Sequence, residues 1–221
     1  MAGRVTVGGA PAEKPSRLVA PEESLHIAGD GRRFVGRGGE KLDAALDHFG
    51  IDVTGRPALD AGASTGGFTD CLLQRGATRV VAVDVGRGQL HQRLRDDPRV
   101  TVLERTNVRH LTPDAFGGDR FPMVTADLSF ISLGTVAGNL VGLTAPGGDL
   151  VVLVKPQFEA GRAEASRARG VIRDPEVWER VLAEVAAALT AAGSDMMGTM
   201  RSPLTGADGN VEFLMHVRGR S

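Results

Sequence analysis

The chain has 221 residues, a length that suits one domain with a short appendage. Hydrophobic residues make up 42% of it, so we expect a globular protein rather than a disordered one. The net charge of -1 argues against a protein that binds nucleic acid over its whole surface. The single cysteine, Cys71, excludes an internal disulfide framework and fits a reducing compartment, so we expect a cytoplasmic protein.

Two other classes of protein are disfavoured by what the sequence lacks. No secretory signal and no apolar run of membrane-spanning length is present, so we expect no membrane partner. The five histidines are scattered without metal-ligand spacing, so we expect no bound metal.

Residues 1–36 differ from the rest of the chain, and we predict a domain boundary after them. Gly3–Gly9 and Ser24–Ile27 read as two short strands. We place the main domain at residues 37–221. Three arginines cluster just before it and at its start: Arg32, Arg33 and Arg37. Such a cluster indicates either a contact for phosphates or ordinary solvated surface charge.

From residue 38 onward apolar strands alternate with helical patterns. A helix is predicted at Lys41–Phe49, and a longer one begins at Asp174 and reaches about Ala192. The predicted strands are Pro57–Asp60, Arg79–Asp84, Arg99–Glu104, Pro122–Asp127, Gly148–Lys155, Met196–Arg201 and Val211–Val217. The alternation predicts an α/β fold with a mainly parallel seven-stranded sheet covered on both faces. The last two strands predict a closing antiparallel hairpin, which is typical of class I, Rossmann-like methyltransferases and not of dinucleotide dehydrogenases.

The turn after the first main strand predicts a nucleotide-like ligand held against bare backbone. Glycines there allow a tight turn with no side chain in the way: Gly62, Gly66 and Gly67. Asp60 precedes them at the strand end, where it can accept a hydrogen bond from a ligand ammonium group, and we expect Ser64 to line the same end. An acid at this point favours S-adenosylmethionine over a pyrophosphate, which it would repel. An NAD site would instead need G-x-G-x-x-G, whereas this turn reads G-A-S-T-G-G.

Two further polar residues follow the next strands. Asp84 ends the second strand, where a carboxylate usually binds the ribose hydroxyls of a nucleotide. Asn107, just beyond the third strand, is predicted to contact the adenine edge. The alternative for Asp84 is a plain turn aspartate before Gly86.

Four charged residues are predicted to lie near the same crevice. Asp127 and Lys155 end two strands of the predicted parallel sheet, and the carboxyl ends of such strands are where ligands bind. Lys41 is near the start of the first helix, and Glu212 is a lone carboxylate in an apolar strand. A strand-end lysine is often only solvated, but an unpaired buried glutamate is costly. Two lysines and two acids that converge can neutralise one another.

The stretch Pro156–Arg173 lacks periodicity and is long for a loop in a compact domain, so we expect it to be functional or mobile. It contains four arginines that, like the earlier cluster, indicate either contacts for phosphates, which we predict, or solvated surface charge: Arg162, Arg167, Arg169 and Arg173. The low aromatic content of 4% argues against an extended base-stacking platform.

The chain resembles the TlyA-type (hemolysin A-like) members of the FtsJ-like ribosomal RNA 2'-O-methyltransferases. The resemblance rests on seven motifs in order: R-G-G-E-K-L at 37–42, L-D-A-G-A-S-T-G-G-F-T at 59–69, A-V-D-V-G-R-G-Q-L at 82–90, L-E-R-T-N-V-R at 103–109, A-D-L-S-F-I-S-L at 126–133, V-K-P-Q-F-E at 154–159 and G-N-V-E-F at 209–213. It implies S-adenosylmethionine as cofactor, ribosomal RNA or ribosomal subunits as partner, and a cytidine ribose as the methyl acceptor. It also implies that the family's Lys-Asp-Lys-Glu catalytic set falls on Lys41, Asp127, Lys155 and Glu212. We expect a monomer.

The resemblance also implies an N-terminal α-L RNA-binding module of two helices and a small β unit. Residues 1–36 read as only the β part of that module, so we expect the helices to be missing, either through a misassigned start codon or through their loss. Gly36 stands where relatives often have serine.

Two rival functions stay open at the level of sequence. One is a small-molecule O-methyltransferase that uses the N-terminal segment as a lid. The other is a non-catalytic RNA-binding or hemolysin-like protein, against which the intact set of four charged residues and the lack of an amphipathic membrane segment argue.

Overall fold

The structure is a computed structural model that describes residues 5–12, 14, 16–27, 33–161, 164, 168–206 and 208–220. Its internal contacts divide the chain into an N-terminal unit, Met1–Arg33, and a main unit, Phe34–Ser221. This division falls close to the predicted boundary after residue 36. In the part of the chain that the structure describes, no helix is long and apolar enough to cross a membrane.

The N-terminal unit contains a small antiparallel sheet. Its strands are β1 (Val5–Val7), β2 (Ala10–Pro11) and β3 (Leu25–Ile27), in the order β2-β1-β3. We predicted β1 and β3 but not β2, which is only two residues long. A tight turn joins β1 to β2 because Gly8 and Gly9 both adopt positive φ, at 57° and 83°, a combination that favours hairpins.

The main unit is built on a seven-stranded sheet. Its strands are β4 (Pro57–Ala61), β5 (Arg79–Val83), β6 (Val100–Leu103), β7 (Phe121–Ala126), β8 (Thr144–Val154), β9 (Ser194–Arg201) and β10 (Phe213–Gly219). The order is β6-β5-β4-β7-β8-β10-β9, and β10 is antiparallel to both of its neighbours. The pairs between β4, β5, β6, β7 and β8 are parallel. The predicted fold class is confirmed, with strand ends shifted by a few residues.

Six α-helices are present among the described residues: α1 (Arg37–Phe49), α2 (Gly67–Gln74), α3 (Gln92–Arg95), α4 (Leu133–Leu143), α5 (Pro156–Glu159) and α6 (Pro175–Ala191). Two 3-10 turns lie at Val108–His110 and Pro113–Phe116. Helix α1 begins four residues earlier than the predicted Lys41, and so includes Gly38 and Gly39, although glycine disfavours a helix. Gly39 is needed there: a Cβ on it would lie 2.3 Å from Cγ of Phe34, which is fully buried under the helix.

Two hydrophobic cores cover the faces of the sheet. One joins α4 and α6 to one face, with Val136, Val185 and Leu189 in its centre. The other joins α1 and α2 to the opposite face and includes Leu46 and the fully buried Cys71. Because neighbouring residues of a strand point to opposite faces, the strands contribute side chains to both cores. This packing leaves the carboxyl ends of the parallel strands at one open edge.

Candidate active site

A cleft of about 620 Å³ lies at the carboxyl ends of the parallel strands. Its walls come from the segments that follow four strands: Gly62 and Ser64 after β4, Asp84 after β5, Asn107 after β6 and Asp127 after β7. This is the edge where open α/β sheets bind ligands. Its volume lies in the range of small-molecule and cofactor sites.

Asp84 closes the glycine turn from the side of β5. Its Oδ2 accepts from the backbone N–H of Ser64 at 2.8 Å, and its Oδ1 accepts from the N–H of Gly86 at 2.7 Å. An ionised carboxylate has about four lone-pair sites, so roughly two remain for ligand hydroxyls. Asp84 therefore stabilises the turn, as in the alternative interpretation, and its carboxylate still has acceptor sites for a ligand in the cleft.

Asn107 also lines the cleft, at the start of the 3-10 turn Val108–His110. Its Oδ1 accepts from the N–H of Arg109 at 3.1 Å. That hydrogen bond fixes the side chain and leaves its amide N–H groups as donors, which suits a ring nitrogen of adenine. Contact with adenine stays a prediction.

The three glycines of the turn have different surroundings. Gly62 lines the cleft with φ of 84° and lies against the backbone of Asp127. Gly67 lines a second, smaller cleft, and a Cβ on it would lie 2.9 Å from the backbone nitrogen of Gly39. Gly66 lines neither cleft; a Cβ there would lie 2.2 Å from Cδ1 of Leu94. Gly62 and Gly67 thus shape the clefts, whereas Gly66 allows the turn to pack on α3.

The structure places Asp60 behind the cleft rather than in its wall. The residue is fully buried, and its carboxylate accepts hydrogen bonds from Thr69 Oγ1 at 2.7 Å and Thr125 Oγ1 at 3.0 Å. Burial raises the pKa of Asp60 to about 6, although both threonine hydrogen bonds act in the opposite direction. The direct contact with a ligand that we predicted is therefore not available in this conformation. The sequence pattern located the strand end correctly but not the face to which the side chain points.

The four charged residues form two ion pairs. Lys41 Nζ bonds Glu212 Oε2, and both residues are buried. Lys155 Nζ lies 2.5 Å from Asp127 Oδ1 and donates to Ser129 Oγ at 3.0 Å. Among the described residues, Asp127 Oδ1 accepts no hydrogen bond of good geometry, so its contact with Lys155 is an ion pair only. The predicted neutralisation of two lysines by two acids is therefore observed.

A smaller cleft of about 200 Å³ connects the two pairs to the glycine turn. Lys41 and Asp127, one residue of each pair, both line it, as does Arg37. The two clefts share Gly62, Ser64 and Asp127 as lining residues, so they meet at the glycine turn. Asp127 is thus the residue that faces both spaces, and a reacting group in the smaller cleft would lie close to the end of a ligand in the larger one.

Sequence reasoning missed several residues that line the larger cleft, chiefly Ser129 and Phe130. Phe130 is 92% exposed, has a left-handed φ of 65°, and its ring lies 5.2 Å from that of Phe158. Lys155 Nζ lies 5.8 Å from the Phe158 ring centroid. Their position in the sequence could have indicated this, because residues that closely follow a carboxylate at the end of a strand lie at the same ligand-binding edge of the sheet.

The predicted arginines are only partly brought to the site. Arg37 lines the smaller cleft, and Arg33 is exposed at the end of the N-terminal unit. Arg169 and Arg173 are exposed and line neither of the two clefts. Arg32, Arg162 and Arg167 lie outside the described residues.

The observed residues fit S-adenosylmethionine. Gly62 lets bare backbone approach a ligand, and Asp84 keeps acceptor capacity for ribose hydroxyls. Asp127 lines both clefts, with its buried Oδ1 paired with Lys155. The described part of the chain holds no group of three or more histidine, cysteine or acidic residues that could bind a metal ion. The sheet order, the antiparallel β10 and this cleft define a class I S-adenosylmethionine-dependent methyltransferase.

Comparison with known proteins narrows the class to a family. Residues 34–218 match the family model of the FtsJ-like methyltransferases, so the chain belongs to that family. It is 51% identical, over 98% of its length and 81% of the relative's, to the 16S/23S rRNA (cytidine-2'-O)-methyltransferase TlyA of Mycobacterium tuberculosis. It is 37% identical to Hemolysin A of Brachyspira hyodysenteriae, over 98% of this chain and 89% of that one. A solved structure of a proposed hemolysin from Streptococcus thermophilus is 40% identical, with a TM-score of 0.86 over all of this chain and 80% of that one.

Proposed function

We propose that this enzyme methylates the 2'-oxygen of a cytidine ribose in ribosomal RNA. The observation that carries the proposal is the pair of buried or half-buried lysine–carboxylate contacts at the junction of the two clefts. In a chain of the FtsJ-like family these are the four residues at which the resemblance places the catalytic set. The name of the M. tuberculosis relative supports the choice of ribosomal cytidine.

The larger cleft is proposed to hold S-adenosylmethionine, which supplies a methyl group on a positively charged sulfur. Asp84 would bind the ribose hydroxyls, Asn107 the adenine edge, and the backbone around Gly62 and Ser64 the methionine end. Asp60 is proposed to act indirectly, by holding β4 and α2 together through Thr69.

Lys155 is proposed to contact the attacking ribose oxygen. Its partners Asp127 and Ser129 both line the cofactor cleft, so its ammonium group is one contact away from that space. From this position Lys155 would orient the 2'-hydroxyl, and the Asp127–Lys155 pair would take up the hydroxyl proton as the oxygen bonds to the methyl carbon. The bond from that carbon to the sulfur would break in the same step, and S-adenosylhomocysteine would leave. The Lys41–Glu212 pair is proposed to hold Lys41 in place where it lines the smaller cleft.

An RNA substrate fits the surroundings of the site better than a small molecule does. Phe130 offers a nearly fully exposed ring beside Asp127, and aromatic rings commonly stack on unpaired bases. Arg37 supplies positive charge in the smaller cleft, and the exposed Arg169 and Arg173 are proposed phosphate contacts. We also propose that residues 1–36 include the β part of an RNA-binding module, and that the enzyme acts as a monomer in the cytoplasm.

The test is transfer of labelled methyl from S-adenosylmethionine to isolated small and large ribosomal subunits. Since a 2'-O-methyl group blocks alkaline cleavage at the adjacent phosphate, the label is expected in an alkali-resistant dinucleotide whose 5' residue is cytidine. Catechol and other small phenols serve as the comparison substrates. Label in phenols and none in either subunit would contradict the proposal and favour a small-molecule enzyme.

A further inference from the structure

Asp127 and Lys155 belong to two chain segments that contact each other. These segments share other contacts besides the Asp127–Lys155 ion pair. The first, residues 127–133, is called the wall segment because five consecutive residues of it, 127–131, line the larger cleft. The second is α5 with the preceding Lys155. Between them lie the Lys155 contacts to Asp127 and Ser129 and the packing of Phe130 on Phe158.

The far end of the wall segment is held by a carboxylate that faces away from the cleft. Glu159 accepts from Ser132 Oγ at 2.7 Å with Oε2 and from the backbone N–H of Leu133 at 2.9 Å with Oε1. Ser132 is also the N-cap of α4, because its Oγ accepts from the N–H of Gly134 at 3.1 Å. Glu159 lines neither cleft, so it touches neither a bound cofactor nor a substrate there.

The wall segment needs such a restraint. Phe130 has φ of 65°, a left-handed backbone that a bulky residue adopts only under strain, and its side chain is 92% exposed. Strained residues persist when the surrounding structure determines them from several sides. At its start the segment is fixed by the N–H of Asp127, which donates to the carbonyl of Ala61 at 2.9 Å. At its other end the segment is fixed by Glu159, whose carboxylate accepts hydrogen bonds from Ser132 and Leu133.

We propose that Glu159 is a positioning residue for methyl transfer, because its two hydrogen bonds fix the wall segment and thereby place Phe130 and the Asp127–Lys155 pair at the cleft. The proposal rests on the function given above. The restraint acts through geometry rather than through the negative charge of Glu159. A glutamine, which has the same length and both an acceptor and a donor, is therefore expected to replace it, whereas alanine is not.

The restraint is tested first without any substrate, by hydrogen–deuterium exchange of the free enzyme. Glu159→Ala is expected to raise exchange at least several-fold in peptides covering 128–135, which include the amides of Leu133 and Gly134, and to leave peptides of β4 and α2 unchanged. Glu159→Gln is expected to match the wild type. A matched control is Glu179→Gln, which removes an exposed carboxylate on α6. Unchanged exchange at 128–135 in Glu159→Ala would overturn the proposal.

The catalytic consequence is tested by the single-turnover rate of methyl transfer to ribosomal subunits at saturating cofactor and subunit concentrations. Because a misplacement of about 1 Å at a reacting centre lowers rates by up to about 100-fold, Glu159→Ala is expected to be about 10- to 100-fold slower. Glu159→Gln is expected to stay within about 3-fold of the wild type on the same argument. If alanine unfolds the protein, Glu159→Asp, whose carboxylate is one methylene too short to reach both Ser132 and Leu133, provides the exchange and rate data instead.

The outcomes separate this proposal from the proposed function. A glutamine variant as slow as the alanine variant, or an alanine variant as fast as the wild type, would overturn the positioning role. If the wild type itself transfers no methyl to subunits, the proposed function fails, and the exchange result still decides whether Glu159 restrains the wall segment.

Discussion

A Cβ atom at Gly62 would lie 2.3 Å from the carbonyl oxygen of Asp127. Because φ at Gly62 is 84°, a side chain there would also strain the backbone. The close approach joins the glycine turn to the first residue of the wall segment. The absence of a side chain at Gly62 therefore lets the turn and Asp127 meet where the two clefts join.

Gly62→Ala is expected to reduce S-adenosylmethionine affinity severely, because the added methyl group must push the Asp127 backbone away from the turn. Strain at such a position costs about 1–3 kcal/mol before any clash is counted. Titration calorimetry measures the affinity. The matched control is Gly55→Ala, where φ is 74° but a Cβ meets nothing within 4 Å, so it carries the strain without the clash. Equal cofactor affinity in the two variants would contradict this account of Gly62.

Asp84→Ala is expected to weaken S-adenosylmethionine binding by about 1–3 kcal/mol, the range for losing hydrogen bonds to a charged acceptor. Part of the loss comes from the turn itself, since Asp84 also accepts from the N–H of Ser64. Asp97→Ala is a suitable control, because Asp97 likewise accepts from a backbone N–H, that of Arg99, but lies outside both clefts. Unchanged affinity in Asp84→Ala, measured by calorimetry, would exclude Asp84 as the ribose acceptor.

The buried carboxyl of Asp60 is expected to make stability depend on pH. Burial raises its pKa to about 6 from an ordinary 3.8, so between pH 4 and 6 the folded state binds more protons than the unfolded state. Its contribution to stability is therefore present below about pH 4 and is lost as the pH rises through 6, by about 3 kcal/mol at most. Asp60→Asn removes this group. We expect urea unfolding to show that the wild type loses stability relative to Asp60→Asn when the pH is raised from 4.5 to 7.5. A difference in the free energy of unfolding between wild type and variant that is the same at both pH values would contradict the raised pKa.

The exposed arginines after α5 are expected to contribute to the salt dependence of RNA binding. Each phosphate contact adds about 0.7 to 0.9 to the slope of log affinity against log salt. Arg169→Ala with Arg173→Ala is therefore expected to make that slope shallower by about 1–2. Arg220→Ala, beyond β10 at the opposite end of the sheet, pairs with Asp195 and is the control. Filter binding over a salt series measures this slope for the wild type, the double variant and the control. Equal slopes for the double variant and the wild type would show that Arg169 and Arg173 do not contact the RNA.

The sheet and the location of the site could be predicted from the sequence because they depend on local patterns. Apolar runs that end in Asp84, Asp127 and Lys155 predict parallel strands, and the sheet places their ends at one edge. The orientation of side chains could not be predicted in the same way. Asp60 points to threonines 9 and 65 residues away, a packing outcome that no local pattern indicates.

Long-range restraints were also invisible in the sequence. Glu159 bonds residues 26 and 27 positions away, and although it ends the motif V-K-P-Q-F-E, that motif does not indicate which residues it contacts. The start of α1 was misplaced for a related reason. Gly39 opposes helix formation locally but is required by the buried ring of Phe34.

The central claim is that the ammonium group of Lys155, held between Asp127 and Ser129, acts at the ribose oxygen. The most direct measurement is the single-turnover rate of labelled methyl transfer to ribosomal subunits by Lys155→Ala, with S-adenosylmethionine affinity measured on the same preparation. We expect the rate to fall below detection while the affinity stays within about 3-fold, since the amine is needed in the transition state rather than for cofactor binding. A variant that binds cofactor normally and transfers methyl at close to the wild-type rate would contradict the account.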